Sequence, residues 1–236
     1  MDAYHAIWDK LVTAQTKPEL WMVIIAWGIA ALLTATPVWH ITRNIITVVH
    51  EGGHALVAII WGRRIAGIKL NSDTSGVTIS SGKAWGLGVI FTTAAGYTAP
   101  ATLGLFLAYL SSEGRSFLAL VILGISALLI FLSIRNLWGF IITIPLTASL
   151  YYLLQLNESI QTFALIIVAA FLTIASARPI VELQRARLSG EGKDSDADQL
   201  QRLTLIIPGI VWVVFFMLFS LTANGLTVWL FLSHIK

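Results

Sequence analysis

Long apolar runs dominate the chain, separated by short polar joints. A helix needs about 20 apolar residues to cross a hydrocarbon core near 30 Å thick. Runs of that kind lie at 20–40, 44–61, 85–110, 116–134, 136–155, 160–177 and 204–232. The pattern therefore predicts an all-α polytopic membrane protein with about six to seven spans. The joint at Arg135 is so short that one of its two neighbouring spans could be re-entrant or broken. A 19-residue tail precedes the first run, whose apolar stretch is longer than a cleavable signal core.

Two stretches break the helical rhythm. Residues 62–83 form an insert in which Ile65–Leu70 and Val77–Ser81 read as short strands around the turn-rich 71–76, a small β-hairpin. Residues 178–203 read as the only long polar loop, with Gly190 and Gly192 in a charge-rich run. With residues 1–19 as an N-terminal tail, the whole of 1–236 reads as one integral membrane domain.

Composition agrees with that picture and excludes the main alternatives. The chain is 57% hydrophobic and 11% charged, against about 25% charged in soluble domains. Neither a soluble enzyme nor a disordered chain fits. There is no cysteine, so disulfides, thiolate nucleophiles and sulfur-ligated zinc are excluded. The net charge of +3 reports topology, not nucleic-acid binding. Sorted by loop, twelve basic residues, from Lys10 to Arg202, fall on one side; Arg43, Arg115 and Lys236 fall on the other. The positive-inside rule then puts the N-terminus in the cytosol and the C-terminus outside. Trp21, Trp39, Trp61, Trp85 and Trp229 fall near span ends, where aromatic anchors belong.

One motif carries chemistry. His50-Glu51-Gly52-Gly53-His54 lies inside the second span. Helical positions four apart share a face, so both imidazoles can point at one ion. Neutral imidazoles ligate zinc at about 2.0–2.1 Å, and Glu51 can act on the water in an open position as general base. A charged side chain at mid-membrane costs several kcal/mol, roughly 2.5–3.5 on insertion scales. Metal ligation explains that cost; a buried polar cluster bonding neighbouring helices is the plainer alternative. Gly52 and Gly53 fit either close helix packing or room for a substrate.

A membrane helix reading H-E-G-G-H-A, followed by a hairpin and further spans, resembles the site-2 protease group of intramembrane zinc metallopeptidases, and within it the peptidase M50B-like branch. The resembling stretches are VVHEGGHALVA, GRRIAGIKLNSDTSGVTIS, AAGYTAPATLG, IRNLWG and SDADQLQRLTLIIPGIVW. The resemblance implies Zn2+ on His50 and His54, water activation by Glu51, and a third ligand, usually an aspartate in a Leu-Asp-Gly motif. That motif is missing here, and spans three to seven contain no acid. Asn136 is similar to the asparagine that precedes the aspartate motif in the group.

The candidates for a third ligand are few: Asp194, Asp196 and Asp198 cluster just before the last span, on the cytosolic side predicted for it. The histidines lie roughly 10–16 Å below the end of their helix at 1.5 Å per residue, within reach of an acidic segment dipping into the bundle. Asp196 is the preferred third ligand, because SDA is the part resembling the branch pattern, and Asp198 is second. Both could instead cap the following helix. Asp73 reads as a turn residue. His5 and His40 read as interfacial or solvated, His234 lies on the opposite side, and Arg135 and Asn136 read as helix-end residues.

The expectation is an intramembrane zinc metalloprotease acting on membrane-embedded or membrane-proximal protein substrates, in the cytoplasmic (inner) membrane of a bacterium. A substrate segment, once unwound, could add to a hairpin edge at 65–70 or 77–81. A non-proteolytic metal-binding scaffold and a metal or ion transporter are the alternatives.

Overall fold

The computed structural model describes residues 2–190 and 194–235. Gly192, Lys193 and Lys236, which entered the loop and charge readings, lie outside the described residues. Helices α1 (Asp2–Val12), α2 (Leu20–Ala35) and α3 (Trp39–Ile60) lead into strands β1 (Arg64–Leu70) and β2 (Gly76–Ser81). Seven helices follow: α4 (Leu87–Ser112), α5 (Ser116–Ser133), α6 (Leu137–Leu153), α7 (Glu158–Ala175), α8 (Ala177–Ser189), α9 (Asp196–Thr204) and α10 (Gly209–His234).

Helix α4 is the hub, packed against α3, α7 and α10. Its small residues allow the close approach. A side chain at Gly104 would run into Thr173 and Leu172 of α7, and one at Gly53 into Ala95 and Ala99 of α4. Small residues play this part between membrane helices, where packing rather than water exclusion drives association. Large apolar side chains such as Ile41, Leu129 and Leu218 instead point outward, as surfaces facing lipid do.

Four segments are long and apolar enough to cross a membrane: α4, α5, α7 continued through α8, and α10. The spans drawn at 20–40 and 44–61 form one pair, α2 and α3, bent by 101°. Pro37 explains the bend, since its ring pushes Thr36 out of the helical region and Thr36 is extended. Helix α6 is apolar but only 17 residues long.

Among its described residues the 178–203 segment is mostly helical, not a loop. Helix α8 continues the polypeptide from α7 until Gly190, whose left-handed φ of 81° closes it. Ile180 and Leu183 of α8 meet Ala197 and Leu200 of α9 and Val213 and Phe216 of α10 in a separate apolar cluster. That burial holds the segment in place. Trp39 also departs from expectation. It is buried, not an interfacial anchor, with its Nε1 donating to Glu182 at 3.1 Å and Arg178 lying 4.8 Å above its ring. Trp21, Trp61, Trp85 and Trp229 are exposed.

The hairpin forms where the alternation places it, with β1 and β2 antiparallel and Thr78 opposite Ile68. Its turn is closed by Asp73, which accepts from the amide and hydroxyl of Ser75 at 2.9 and 2.6 Å. Those two bonds hold the Asp73 carboxyl below the usual carboxylate range. Thr47 of α3 donates to Thr74 O at 2.7 Å and ties the turn to the helix.

The outer edge of β1 is occupied. Residues 134–136, between α5 and α6, run extended beside it: Ile134 bridges Ile68, and Arg135 N donates to Ile68 O at 2.9 Å. Asn136 completes the pairing through its side chain, donating to Leu70 O at 2.5 Å and accepting from Leu70 N at 3.2 Å. The short joint is thus a sheet edge in its own right. Among the described residues no backbone pairs with the other edge of β2.

Candidate metal centre

His50 and His54 stand one turn apart on α3, as their spacing requires. Their Nε2 atoms are 3.1 Å apart. Asp196 Oδ2 lies 3.2 Å from His50 Nε2 and 3.3 Å from His54 Nε2. Tetrahedral ligands bonded at about 2.0–2.1 Å are separated by about 3.3 Å. The three atoms therefore have the spacing of one face of such a shell, and the group could hold a metal ion.

The donor chemistry agrees with the spacing. His54 Nδ1 lies 2.7 Å from the carbonyl of Thr92 on α4. That contact takes the single N–H of a neutral ring and leaves Nε2 a lone pair aimed at Asp196. Asp196 Oδ2 is buried and has no hydrogen-bond partner among the described residues. Lone pairs facing each other at this distance repel unless a cation or a proton lies between them.

Each side chain is placed by identifiable neighbours. The ring of Tyr97 packs edge-on against His50, with centroids 4.8 Å apart, and stacks on Phe216 of α10. Gly96 makes room for the ligands. A Cβ there would come within 2.6 Å of His50 Nε2 and would also run into His54. Glu51 is buried, and Thr78 of β2 lies 2.7 Å from its Oε2 and 3.0 Å from its own carbonyl. A side chain on Gly76 would come within 2.7 Å of that carboxylate, so β2 lies directly over Glu51.

Asp196 opens the first turn of α9, and its neighbours take up the capping role. Ser195 is the N-cap: its hydroxyl accepts from Asp198 N at 3.3 Å and donates to Asp198 Oδ2 at 2.5 Å. Asp198 Oδ1 also pairs with Arg187 Nη2 of α8 at 2.8 Å. Asp198 is thereby committed to holding α9, and Asp196 is left facing the histidines. Asp194 is exposed and pairs with Arg202 at 3.3 Å.

The other candidates stand apart. Gly52 and Gly53 meet Ile130 and α4, so both serve helix packing. His40 begins α3, His5 lies on α1, and His234 pairs with Glu113 at 3.1 Å at the far end of α10. Residues missed in the sequence are Thr78, Thr92, Gly96 and Tyr97. The last two lie in the quoted stretch AAGYTAPATLG, whose small residues were the available signal.

A cleft of about 530 Å3 passes His50, His54, Asp196 and Glu51, with β2 on one side and α4 on the other. Arg43 and Arg63, near the two ends of α3, both line it. At 1.5 Å per residue they are separated by ~30 Å of helix.

The model of the Peptidase M50B-like family matches residues 22–227. No curated protein and no solved structure matches the chain. Together with the apolar helices, the match marks an integral membrane protein of a metallopeptidase type. It runs through every element that carries one of the three candidate ligands, and the chain belongs to the Peptidase M50B-like family.

Proposed function

We infer that the protein is a zinc endopeptidase that hydrolyses peptide bonds of membrane-embedded or membrane-proximal proteins. The observation that carries this reading is the convergence of His50, His54 and Asp196 with Glu51 adjacent in sequence. His50, His54 and Asp196 hold the ion. Zinc, when bound, supplies Lewis-acid polarisation of the scissile carbonyl and acidifies water. Glu51 takes the proton of the attacking water and returns it to the leaving amine. Thr78 orients that carboxylate.

A helical substrate has its carbonyls bonded internally, so a segment must unwind before it can be cut. The unpaired edge of β2 borders the cleft and can take up the unwound strand by β-addition. The other edge suggested by the sequence, 65–70, is already filled by residues 134–136. Backbone N-methylation of a model substrate at alternate residues should raise KM without touching the enzyme. An unchanged KM would remove this mode of presentation. The charge distribution supports a cytosolic N-terminus, which labelling of introduced cysteines from either side of the membrane tests.

Purified protein should contain one zinc per chain and cleave a model transmembrane peptide, and Glu51→Gln should lower turnover by about 10²–10⁴-fold. Stoichiometric zinc without Glu51-dependent cleavage would instead establish a metal-binding scaffold. Zinc flux into liposomes would point to transport.

A further inference from the structure

We propose that Arg63 selects substrates carrying an acidic side chain two or three residues from the scissile bond, on one side of it. The inference deepens the reading of the cleft given above and rests on it.

The two arginines of the cleft differ in their partners. Arg43 pairs with Glu182 at 3.3 Å. Arg63 has no carboxylate partner among the described residues. Its Nη1 donates to Lys83 O at 2.6 Å, and its Nε and Nη2 lie 3.4 Å from Ser80 Oγ. A side chain on Gly82 would meet Arg63 Cγ at 3.1 Å, so the 82–83 backbone and Ser80 hold the guanidinium in place. Asp194, an acid that also lines the cleft, is engaged by Arg202. A fixed guanidinium, partly withdrawn from water and uncompensated, favours an anion that arrives with the ligand.

The register of β2 says where that anion should be. Burial alternates along the strand, with Gly76, Thr78 and Ser80 on the more buried face. Thr78 touches Glu51 and Ser80 touches Arg63. Residues opposite one another on neighbouring strands share a face. A substrate strand on the free edge of β2 therefore has one residue beside Glu51, and the residue two positions away beside Arg63. If the first flanks the scissile bond, the second is two or three residues from it.

The test moves a single Glu, Gln or Lys through the three positions on either side of the cleavage site of a model transmembrane peptide. Wild-type protein should prefer Glu to Gln in kcat/KM by about tenfold at one position, and Arg63→Glu should prefer Lys there. The preference is a ratio within each variant, so a partial loss of folding does not imitate it. Binding of the same peptides to Glu51→Gln protein reads the preference without turnover. A charge preference in binding with no cleavage would count against the enzyme and leave Arg63 as the selector. Absence of any position at which preference follows residue 63, in binding and in cleavage, overturns the proposal. So does an Arg63→Gln effect that is equal for all peptides and present only with anionic lipid, which would assign the anion to a phospholipid headgroup.

Discussion

The two parts of the candidate metal site are held by different means. On α3 His50 and His54 are one turn apart on a single helix, and α4 backs them at close range through Gly96, Tyr97 and the Thr92 carbonyl. Asp196 instead sits at the start of a nine-residue helix, placed by its N-cap, one ion pair and an apolar cluster. The first half is preformed by local geometry and small-residue packing. The second is an attachment whose position depends on several weaker contacts together. Such a division teaches that damage to the α3 side should act by obstructing the ion, whereas damage to the α9 side should act by releasing a ligand.

The largest effect should come from filling the space behind the histidines. Gly96→Ala places a methyl among the ligand atoms and should lower zinc affinity by at least about 100-fold. Gly124→Ala, with open space around it, should leave affinity unchanged. Chelator competition measures both. Equal affinities for the two variants would mean that the rings do not grip the ion where they stand.

Asp196→Asn keeps the shape but weakens the ligand, and should reduce zinc affinity by about 100-fold. Asp198→Asn should cost far less, and a reversed order would exchange the roles assigned to these two acids. Removing the clamp is a smaller change. Arg187→Ala leaves Asp198 without its partner and should lower affinity by about tenfold, consistent with ~1.5–3 kcal/mol for a hydrogen bond to a charged group. Protease sensitivity near Gly190 should rise in that variant, and zinc should suppress it. Smallest of all, Ser195→Ala removes the cap of α9, at about 1 kcal/mol. A few-fold loss of affinity with unchanged α3 hydrogen exchange would place the effect on the α9 side alone.

Much of this molecule could be read from order along the chain. The hairpin appeared where alternation and turn residues put it, and His50 and His54 share a face because a helix repeats every 3.6 residues. Asp196 could be named only by likeness to a branch pattern, with capping an equal rival. In the fold Ser195 and Asp198 make the capping contacts, and Asp196 faces the histidines. The 178–203 segment misled because its polar composition conceals an amphipathic face that is buried against α4 and α10. Trp39 misled in the opposite way, since an elbow at Pro37 turned a span end into an interior position.

By itself the sequence determined the membrane setting, the paired imidazoles with Glu51 and the two-stranded insert. Each follows from short-range rules: transfer free energy summed over a run, helical periodicity, and backbone preferences at turns. The tertiary structure alone decided that α9 brings Asp196 to the histidines, that residues 134–136 close β1 while, among the described residues, β2 stays open, and that Arg43 pairs with a carboxylate while Arg63 pairs with none of those described. These are contacts between residues far apart along the chain. They arise from how whole helices pack, which no local stretch encodes.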